Sequence, residues 1–173
     1  ETDVTEVKAE EYLVTLRKKS ADIVVLPGIC NEDCAYYELL DEKLIKDYVM
    51  DGGILMTVCA GSYYVSRETE YVPPWGPHKT HSNLSSIFNA VARGPLSGLG
   101  HKREGNNSNE AHKVVPIDYI DEDGETIRAH IAYGNGPAMT LDNPSDNVEI
   151  IATYSDIEAV SYTHLTLPTK LAV

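Results

Sequence analysis

The sequence predicts an α/β domain with a parallel sheet, followed by an antiparallel β excursion. Two short apolar runs, at residues 22–28 and 54–58, alternate with stretches whose apolar residues repeat at helical spacing. Strands that alternate with helices along a chain usually pair in parallel. From residue 72 onward, prolines, glycines and polar runs separate short β-rich segments, which is typical of antiparallel strands.

The first helix and the first strand lie within the first 28 residues. A helix is predicted over about residues 8–20, because Tyr12 and Leu16 share one face and lysines near the end suit the negative pole of a helix. Residues 22–28 then form a β-branched run that Pro27 and Gly28 close. A run without polar alternation predicts a strand that is buried on both faces.

A second helix and a second strand follow. Ile45 and Tyr48 lie on one face of the helix, Asp41 can cap its start, and two glycines end it. Residues 54–58 predict a second buried strand, which leads through Cys59 into a short helical segment over residues 63–67. The order of strand, helix, strand and helix therefore predicts the parallel sheet.

The second half of the chain predicts a β-hairpin and one later strand. Residues 113–119 and 126–132 are strand-like. Asp123-Gly124 between them is a hairpin turn signal, because glycine tolerates the positive φ that the turn requires. A further strand is predicted over residues 148–154, and these segments form the antiparallel excursion.

The end of the chain departs from the preceding pattern. Residues 161–173 resemble a translated sequencing-adapter end, and we exclude them from the fold prediction. The chain also begins without a methionine. We therefore expect one domain over residues 1–160, incomplete at both ends.

Composition limits the classes of partner. A net charge of −13, with 14 scattered lysines and arginines, argues against binding nucleic acid through its phosphates. No apolar stretch approaches the roughly 20 residues that span a bilayer, so we expect no membrane association. Three cysteines without paired spacing suggest a reducing, cytoplasmic location. We expect a small-molecule substrate or ligand, no cofactor and no metal, and leave a homo-oligomer open.

Cys59 is the strongest candidate for a reactive residue. A nucleophile between a buried strand and a helix lies on a tight turn, the nucleophile elbow, which pushes its side chain out over the edge of the sheet. Ala60, Gly61 and Ser62 are small enough for such a turn. The helix start favours a thiolate, and its N–H groups can stabilise an oxyanion. A buried structural cysteine explains the short pattern equally well.

The loop after the first strand is the second part of the predicted site. In a parallel sheet the loop after Pro27 lies beside the elbow, where Gly28 or Ile29 can donate a backbone N–H to an oxyanion. A plain turn at the end of the strand is the alternative, and it is the more frequent meaning of a Pro-Gly pair.

Five blocks of the sequence occur in an order that resembles a known family. They are VLPG (25–28), VMDGG (49–53), VCAGSYY (58–64), FNAVARGP (88–95) and IAYGNG (131–136). Together they resemble the class I glutamine amidotransferase-like domain found at the N-terminus of eukaryotic biotin-protein ligases and in free-standing microbial relatives. The resemblance spans about residues 20–155, and it implies a flavodoxin-like parallel sheet with helices on both faces.

This resemblance also implies roles for individual residues. Cys59 carries over as the nucleophile, and Gly28 and the backbone N–H of Ala60 carry over as the oxyanion hole. Asn135 belongs to the Asn-Gly block of the family and is a candidate for ligand contact, although turn formation explains it equally well. The loop of the family usually has a second glycine where Ile29 stands. The histidine and glutamate partners of the superfamily follow a later strand, which we expect to be missing from this sequence.

The histidines and the remaining cysteines are weaker candidates. His78 and His81 are spaced as on one face of a helix, but the surrounding prolines forbid a regular helix, so we expect solvated loop residues. Cys30 and Cys34 lack the spacing and the further ligands of a metal or redox pair. We therefore favour two isolated thiols.

Two pairs of adjacent tyrosines accompany these candidates: Tyr36 with Tyr37, and Tyr63 with Tyr64. They would either line the mouth of a pocket or lie at the edge of the core with their hydroxyls in water. We favour the second arrangement, because an amphipathic ring commonly keeps one end wet.

These observations predict a cysteine-dependent hydrolase or amidotransferase-like enzyme that acts on an amide or acyl substrate. Cys59 would attack the carbonyl, and a histidine outside this sequence would act as the base, so we expect the chain itself to be inactive or nearly so. The alternative is a non-catalytic module that uses the elbow pocket to bind a small metabolite or to regulate a partner. A biotin ligase proper is poorly supported, because no ATP-binding glycine-rich loop or lysine-centred adenylation motif is visible.

Overall fold

The computed structural model describes residues 3–18, 20–28, 35–83, 87–100, 112–141 and 148–155. Within these ranges the chain forms four helices and nine strands. The helices are α1 (Ala9–Lys18), α2 (Tyr36–Leu39), α3 (Glu42–Met50) and α4 (Ala60–Val65). The strands are β1 (Ile23–Leu26), β2 (Ile54–Thr57), β3 (Ser66–Tyr71), β4 (Lys79–Ser82), β5 (Phe88–Gly94), β6 (Lys113–Ile120), β7 (Thr126–Tyr133), β8 (Ala138–Thr140) and β9 (Ala152–Tyr154).

Local signals fix the ends of the two longest helices. The carboxylate of Asp41 accepts a hydrogen bond from the N–H of Leu44 at 3.1 Å and so caps α3. Gly52, with a φ of 91°, follows the end of the same helix. Helix α1 has acidic residues in its first turn and basic residues in its last, which complements the helix dipole. The predictions of both helices and of the Asp41 cap are confirmed.

Strands β1 and β2 pair in parallel, as predicted. The register runs from Ile23 opposite Ile54 to Leu26 opposite Thr57. The two strands therefore end at the same edge of the sheet. The segments that begin at Pro27 and at Val58 leave from that edge together, and this arrangement positions the site described below.

The burial of β1 differs from the prediction. Val24 and Leu26 are buried in a core to which α1, α3 and α4 also contribute, whereas Ile23 and Val25 are exposed. The expectation of a strand buried on both faces is wrong for β1, because in the described ranges these helices all pack into the core on one face. A continuous apolar run was therefore a misleading signal here.

A mixed sheet in the order β4-β3-β5-β8 follows the parallel pair. Strand β3 is antiparallel to β4 and parallel to β5, and β8 is antiparallel to β5. Strand β3 starts at Ser66, directly after α4 ends at Val65. The predicted helical segment at 63–67 is wrong at its end, because the helix stops at Val65. The sequence did not predict β3, since a continuous polar run hides the buried positions Ser66 and Thr69.

The predicted hairpin is present. Strands β6 and β7 pair antiparallel over eight residues each, and Gly124 in the connecting turn has a φ of 82°. Strand β9 pairs antiparallel with β6 and covers only the end of the predicted strand at 148–154. The antiparallel excursion is therefore confirmed.

The described residues form a mixed α/β structure with three sheets. The α/β class is confirmed, but a single flavodoxin-like parallel sheet is not seen among the described residues, where antiparallel pairs are the majority. None of the described helices is both long and apolar enough to cross a membrane. Residues 161–173 lie outside the described ranges.

Candidate functional site

Cys59 lies on a sharp turn between β2 and α4. Its backbone has a φ of 53° and a ψ of −108°, a conformation that non-glycine residues rarely adopt. Such strain persists only where the surrounding structure imposes it. The side chain is half-buried, at the edge where β1 and β2 end. The chain therefore makes a sharp, strained turn at Cys59, where β2 leads into α4.

Backbone hydrogen bonds hold the turn against β1. The N–H of Val58 donates to the carbonyl of Leu26 at 2.9 Å, and the N–H of Gly61 donates to the carbonyl of Val58 at 3.1 Å. The carbonyl of Cys59 accepts from the N–H of Ser62 at 3.0 Å. A methyl group at position 61 would overlap the carbonyl oxygen of Leu26. Glycine is therefore required here by the close approach of α4 to β1.

Gly28 is the nearest part of the loop that follows β1. A methyl group built at this residue would lie 3.2 Å from the Cβ atom of Cys59 and 3.6 Å from its sulfur. The parallel pairing of β1 and β2 produces this proximity, since both chains leave the sheet at one edge. A glycine at position 28 leaves the thiol uncovered on this side.

Residues 134–136, which connect β7 to β8, approach Cys59 from another part of the chain. The Cys59 thiol donates to the carbonyl oxygen of Gly134, with a sulfur to oxygen distance of 3.9 Å. A methyl group at Gly136 would lie 3.9 Å from the Cα atom of Cys59. Asn135 between them has a φ of 67°, which fits a tight turn. We call residues 134–136 the covering segment.

Two tyrosine hydroxyls bind the covering segment. Tyr63, on α4, donates to the carbonyl of Asn135 at 3.2 Å. Tyr133, at the end of β7, donates to the carbonyl of Gly136 at 2.8 Å and accepts from the N–H of Leu96 at 2.6 Å. The segment that contacts the thiol is thus tied both to α4 and to the chain after β5.

The tyrosines around Cys59 are held neutral. Burial raises the pKa of Tyr63 well above its ordinary value, and the neighbouring Tyr133 and Cys59 raise it further. Burial is also the main cause of the raised pKa values of Tyr133 and Tyr154, with Cys59 among the smaller contributors to each. The thiol therefore lies among phenols that stay protonated at neutral pH.

The C-terminal end of α4 is anchored by side chains. The amide group of Asn83 donates to the carbonyl of Tyr64 at 2.5 Å and to that of Ser66 at 2.7 Å. The hydroxyl of Thr69 donates to the carbonyl of Tyr63 at 2.7 Å. The last carbonyls of a helix have no partner within the helix, so they need such donors when they are buried. These contacts explain how a helix of six residues keeps its position after the turn at Cys59.

A comparison with known families identifies the chain. The sequence profile of the family described as "Biotin-protein ligase, N terminal" matches residues 2–173. The chain belongs to this family. No curated protein matches the sequence.

In this member of the biotin-protein ligase N-terminal family, three of the sequence blocks that indicated the resemblance meet where Tyr63 contacts the covering segment. Tyr63 comes from the block at 58–64, Gly94 from the block at 88–95, and Gly136 from the block at 131–136. A methyl group at Gly94 would overlap the hydroxyl oxygen of Tyr63 and would lie 2.8 Å from the carbonyl oxygen of Gly136. Glycine at position 94 thus makes room for the tyrosine and the covering segment.

The structure brings the predicted site residues together. Gly28, Cys59 and Ala60 lie at one sheet edge, and Asn135 lies in the covering segment. Their roles in binding or chemistry stay predictions. Cys30 and Cys34 lie outside the described residues.

Other predictions near the site need correction. His81 is exposed as predicted, but it lies in β4 rather than in a loop, with its ring 3.9 Å from that of Tyr37. Tyr63 and Tyr64 are 6% and 1% exposed, so the prediction that they lie at the edge of the core is wrong. Tyr36 and Tyr37 are half-buried, as expected at the edge of the core, and the hydroxyl of Tyr36 donates to the carbonyl of Pro27 at 2.8 Å. Helix α4 is covered on every side, which buries both of its tyrosines.

Sequence reasoning missed the part of the site that the tyrosines form. Tyr133 was not singled out, and Tyr63 was expected at the edge of the core with its hydroxyl in water. Both lie in blocks that carried the family resemblance, and that position was the available signal. Among the described residues, no group of three or more His, Cys, Asp and Glu side chains is arranged to hold a metal ion.

Proposed function

We propose that the protein is a cysteine-dependent, class I glutamine amidotransferase-like hydrolase that acts on an amide or related acyl substrate. The observation that supports this most strongly is the strained backbone of Cys59 between β2 and α4, with Gly28 directly beside its side chain. A positive φ at a cysteine is uncommon, and such outliers cluster at functional sites. Membership of the biotin-protein ligase N-terminal family is compatible with this activity.

In the proposed reaction the sulfur of Cys59 bonds to the carbonyl carbon of the substrate. The electron pair of the carbonyl π bond moves onto oxygen, and the backbone N–H groups of Gly28 and Ala60 donate to the resulting oxyanion. The tetrahedral intermediate then expels the amine, which leaves with a proton and yields a thioester on Cys59. Water hydrolyses the thioester and regenerates the thiol.

The proton of the thiol needs an acceptor before the attack. We propose that a histidine serves as this base, as in other cysteine nucleophile systems. Asn135 is proposed as a ligand contact, because it lies in the segment that touches the thiol. The acyl group of the substrate would then lie between the covering segment and Gly28.

An acyl donor that needs no specific recognition tests the nucleophile. The parent for this test carries Cys30→Ser and Cys34→Ser, so that Cys59 is the single thiol. We expect p-nitrophenyl acetate to acetylate Cys59 faster in the native chain than in the same chain in denaturant, as followed by intact mass. Cys59→Ala in that background controls for acetylation elsewhere.

The rival function is a non-catalytic module that binds a small metabolite at the same elbow. If acetylation of Cys59, relative to its alkylation by iodoacetamide, is no faster in the native than in the denatured chain, the enzyme is contradicted and this module is the better account. The thiol contact with the Gly134 carbonyl is the observation that favours the module, because an accepting carbonyl stabilises a neutral thiol rather than a thiolate.

A further inference from the structure

The hydroxyls of Tyr63 and Tyr133 reach the same three-residue segment from different elements. We propose that these two tyrosines are positioning residues, which hold the covering segment so that the carbonyl of Gly134 receives the Cys59 thiol. The catalytic meaning of this role rests on the proposed function. The positioning itself is a property of the resting thiol and can be tested without a substrate.

The hydrogen bonds account for the position of each carbonyl in the segment. Tyr63 donates to the carbonyl of Asn135 at 3.2 Å, and Tyr133 donates to that of Gly136 at 2.8 Å. The remaining carbonyl, that of Gly134, accepts from the thiol at 3.9 Å. All three carbonyls of the segment therefore have a donor, and two of the donors are phenols.

Both phenols are themselves fixed in place. Tyr63 is 6% exposed and packs edge-on against Tyr71, with ring centroids 5.8 Å apart. Tyr133 is 2% exposed, packs edge-on against Tyr154 at 6.1 Å, and accepts from the N–H of Leu96 at 2.6 Å. A donor that is held rigidly also restrains the carbonyl that it binds. Each tyrosine therefore restrains the covering segment in addition to packing in the core.

The contact with Gly134 affects the ionisation of the thiol. A carbonyl oxygen accepts from a thiol but repels a thiolate, so a fixed Gly134 carbonyl favours the protonated form of Cys59. Within the part of the chain that the structure describes, the titratable groups whose pKa values Cys59 affects are Tyr63 on α4, Tyr133 on β7 and Tyr154 on β9. Burial keeps all three neutral near pH 7, so they do not titrate in the range where the thiol reacts.

The test measures the pH dependence of Cys59 alkylation by iodoacetamide in the background Cys30→Ser and Cys34→Ser. The thiolate displaces iodide from carbon, so the reaction needs no oxyanion hole. We expect Tyr63→Phe and Tyr133→Phe each to lower the pH of half-maximal alkylation by roughly 0.3–1 unit, the size of one weak hydrogen bond. Each variant removes one oxygen atom and keeps the ring.

Tyr64→Phe is the matched control. Tyr64 is the neighbour of Tyr63 on α4, and its buried hydroxyl has no hydrogen-bond partner in the described part of the chain. We expect its alkylation profile to coincide with that of the parent. If one Phe variant fails to fold, as judged by circular dichroism, the other decides the test.

Three outcomes would overturn the positioning role. These are unchanged profiles in the folded Phe variants, an equal shift in Tyr64→Phe, or failure of both Phe variants to fold, since the hydroxyls would then be requirements of the fold. Because alkylation is independent of acyl transfer, unchanged profiles together with fast acetylation of Cys59 would remove this role and leave the proposed function standing.

Discussion

Gly28 lies beside Cys59, so that a methyl group there would contact both the Cβ atom and the sulfur of the cysteine. We expect Gly28→Ala to keep the fold and to slow acetylation of Cys59 by about tenfold or more, because the added methyl lies 3.6 Å from the sulfur and crowds the proposed oxyanion site. Gly76→Ala is the matched control, since its methyl would meet nothing closer than 3.9 Å. Equal acetylation rates in the two variants would contradict the role of Gly28.

The buried hydroxyl of Tyr64 leads to a stability prediction. Tyr64 is 1% exposed, and its hydroxyl lacks a hydrogen-bond partner among the described residues. We expect Tyr64→Phe to raise the free energy of unfolding by about 1 kcal/mol, because a buried unsatisfied polar group is destabilising. Tyr133→Phe should lower it by about 1–3 kcal/mol, since the Leu96 N–H and the Gly136 carbonyl lose their partner. Denaturant unfolding measures both, and a loss of stability in Tyr64→Phe would contradict the assignment.

At the residue scale, the sequence predicted the features that depend only on neighbouring residues. The sharp turn at Cys59 was predicted because a strand, a cysteine and small residues follow one another in the sequence. The partners of Tyr63 and Tyr133 could not be found in this way. The hydroxyl of Tyr63 meets the carbonyl of Asn135, 72 residues away, and that of Tyr133 meets the N–H of Leu96, 37 residues away, only after the elements have come together. Periodicity shows which side chains are apolar, but not where a buried hydroxyl finds its acceptor.

At the element scale, the β1–β2 pair shows which face of the sheet the core covers. Val24 is 5% exposed and Val25 is 48% exposed. We expect Val24→Thr to lower the free energy of unfolding by about 1–3 kcal/mol, because the hydroxyl of the threonine would be buried at an apolar position. Val25→Thr should change it by less than about 0.5 kcal/mol, since the hydroxyl reaches water. An equal decrease in the free energy of unfolding at the two positions would contradict the one-sided burial of β1.

Element boundaries were predicted where capping or turn residues mark them. Asp41 marked the start of α3, and the turn at Gly124 marked the β6–β7 hairpin. Strand β3 was missed because its sequence, SRETEY, carries charges on the positions that face solvent and only small polar residues on its buried ones. The burial of Ser66 and Thr69 depends on contacts with α4, which no pattern within the strand reveals.

At the scale of the whole molecule, the buried tyrosines should make the protein less stable at alkaline pH. Burial raises the pKa values of Tyr63, Tyr133 and Tyr154 above the ordinary value of 10.0. A raised pKa in the folded state means that the stability from these groups is fully present below pH 10.0 and is lost as the pH rises toward the folded pKa values. We expect the denaturant midpoint to fall above about pH 10.

Phenolate absorbance checks the alkaline prediction. Part of the signal from the 11 tyrosines should appear without unfolding, and the part from the buried residues should appear only together with the loss of the native circular dichroism spectrum. Ionisation of every tyrosine near pH 10.0 in a chain that stays folded would contradict the burial described here.

The arrangement of the sheets was the least predictable property of the molecule. The α/β class followed from the order of elements, but the split into three sheets depends on which strand edges meet. Strand β3 pairs in parallel with β5 and antiparallel with β4 on its other side. Sequence patterns predict strands far better than they predict partners, because pairing is decided by contacts between distant segments.

The central claim is that backbone amides beside Cys59 stabilise an oxyanion during acyl transfer. Both acetylation by p-nitrophenyl acetate and alkylation by iodoacetamide require the thiolate, but only acetylation forms an oxyanion. The ratio of the two rates at Cys59, compared between the native and the denatured chain in the background Cys30→Ser and Cys34→Ser, therefore isolates the oxyanion hole from thiol ionisation. We predict a ratio at least about tenfold higher in the native chain, and an equal ratio in both states would contradict the claim.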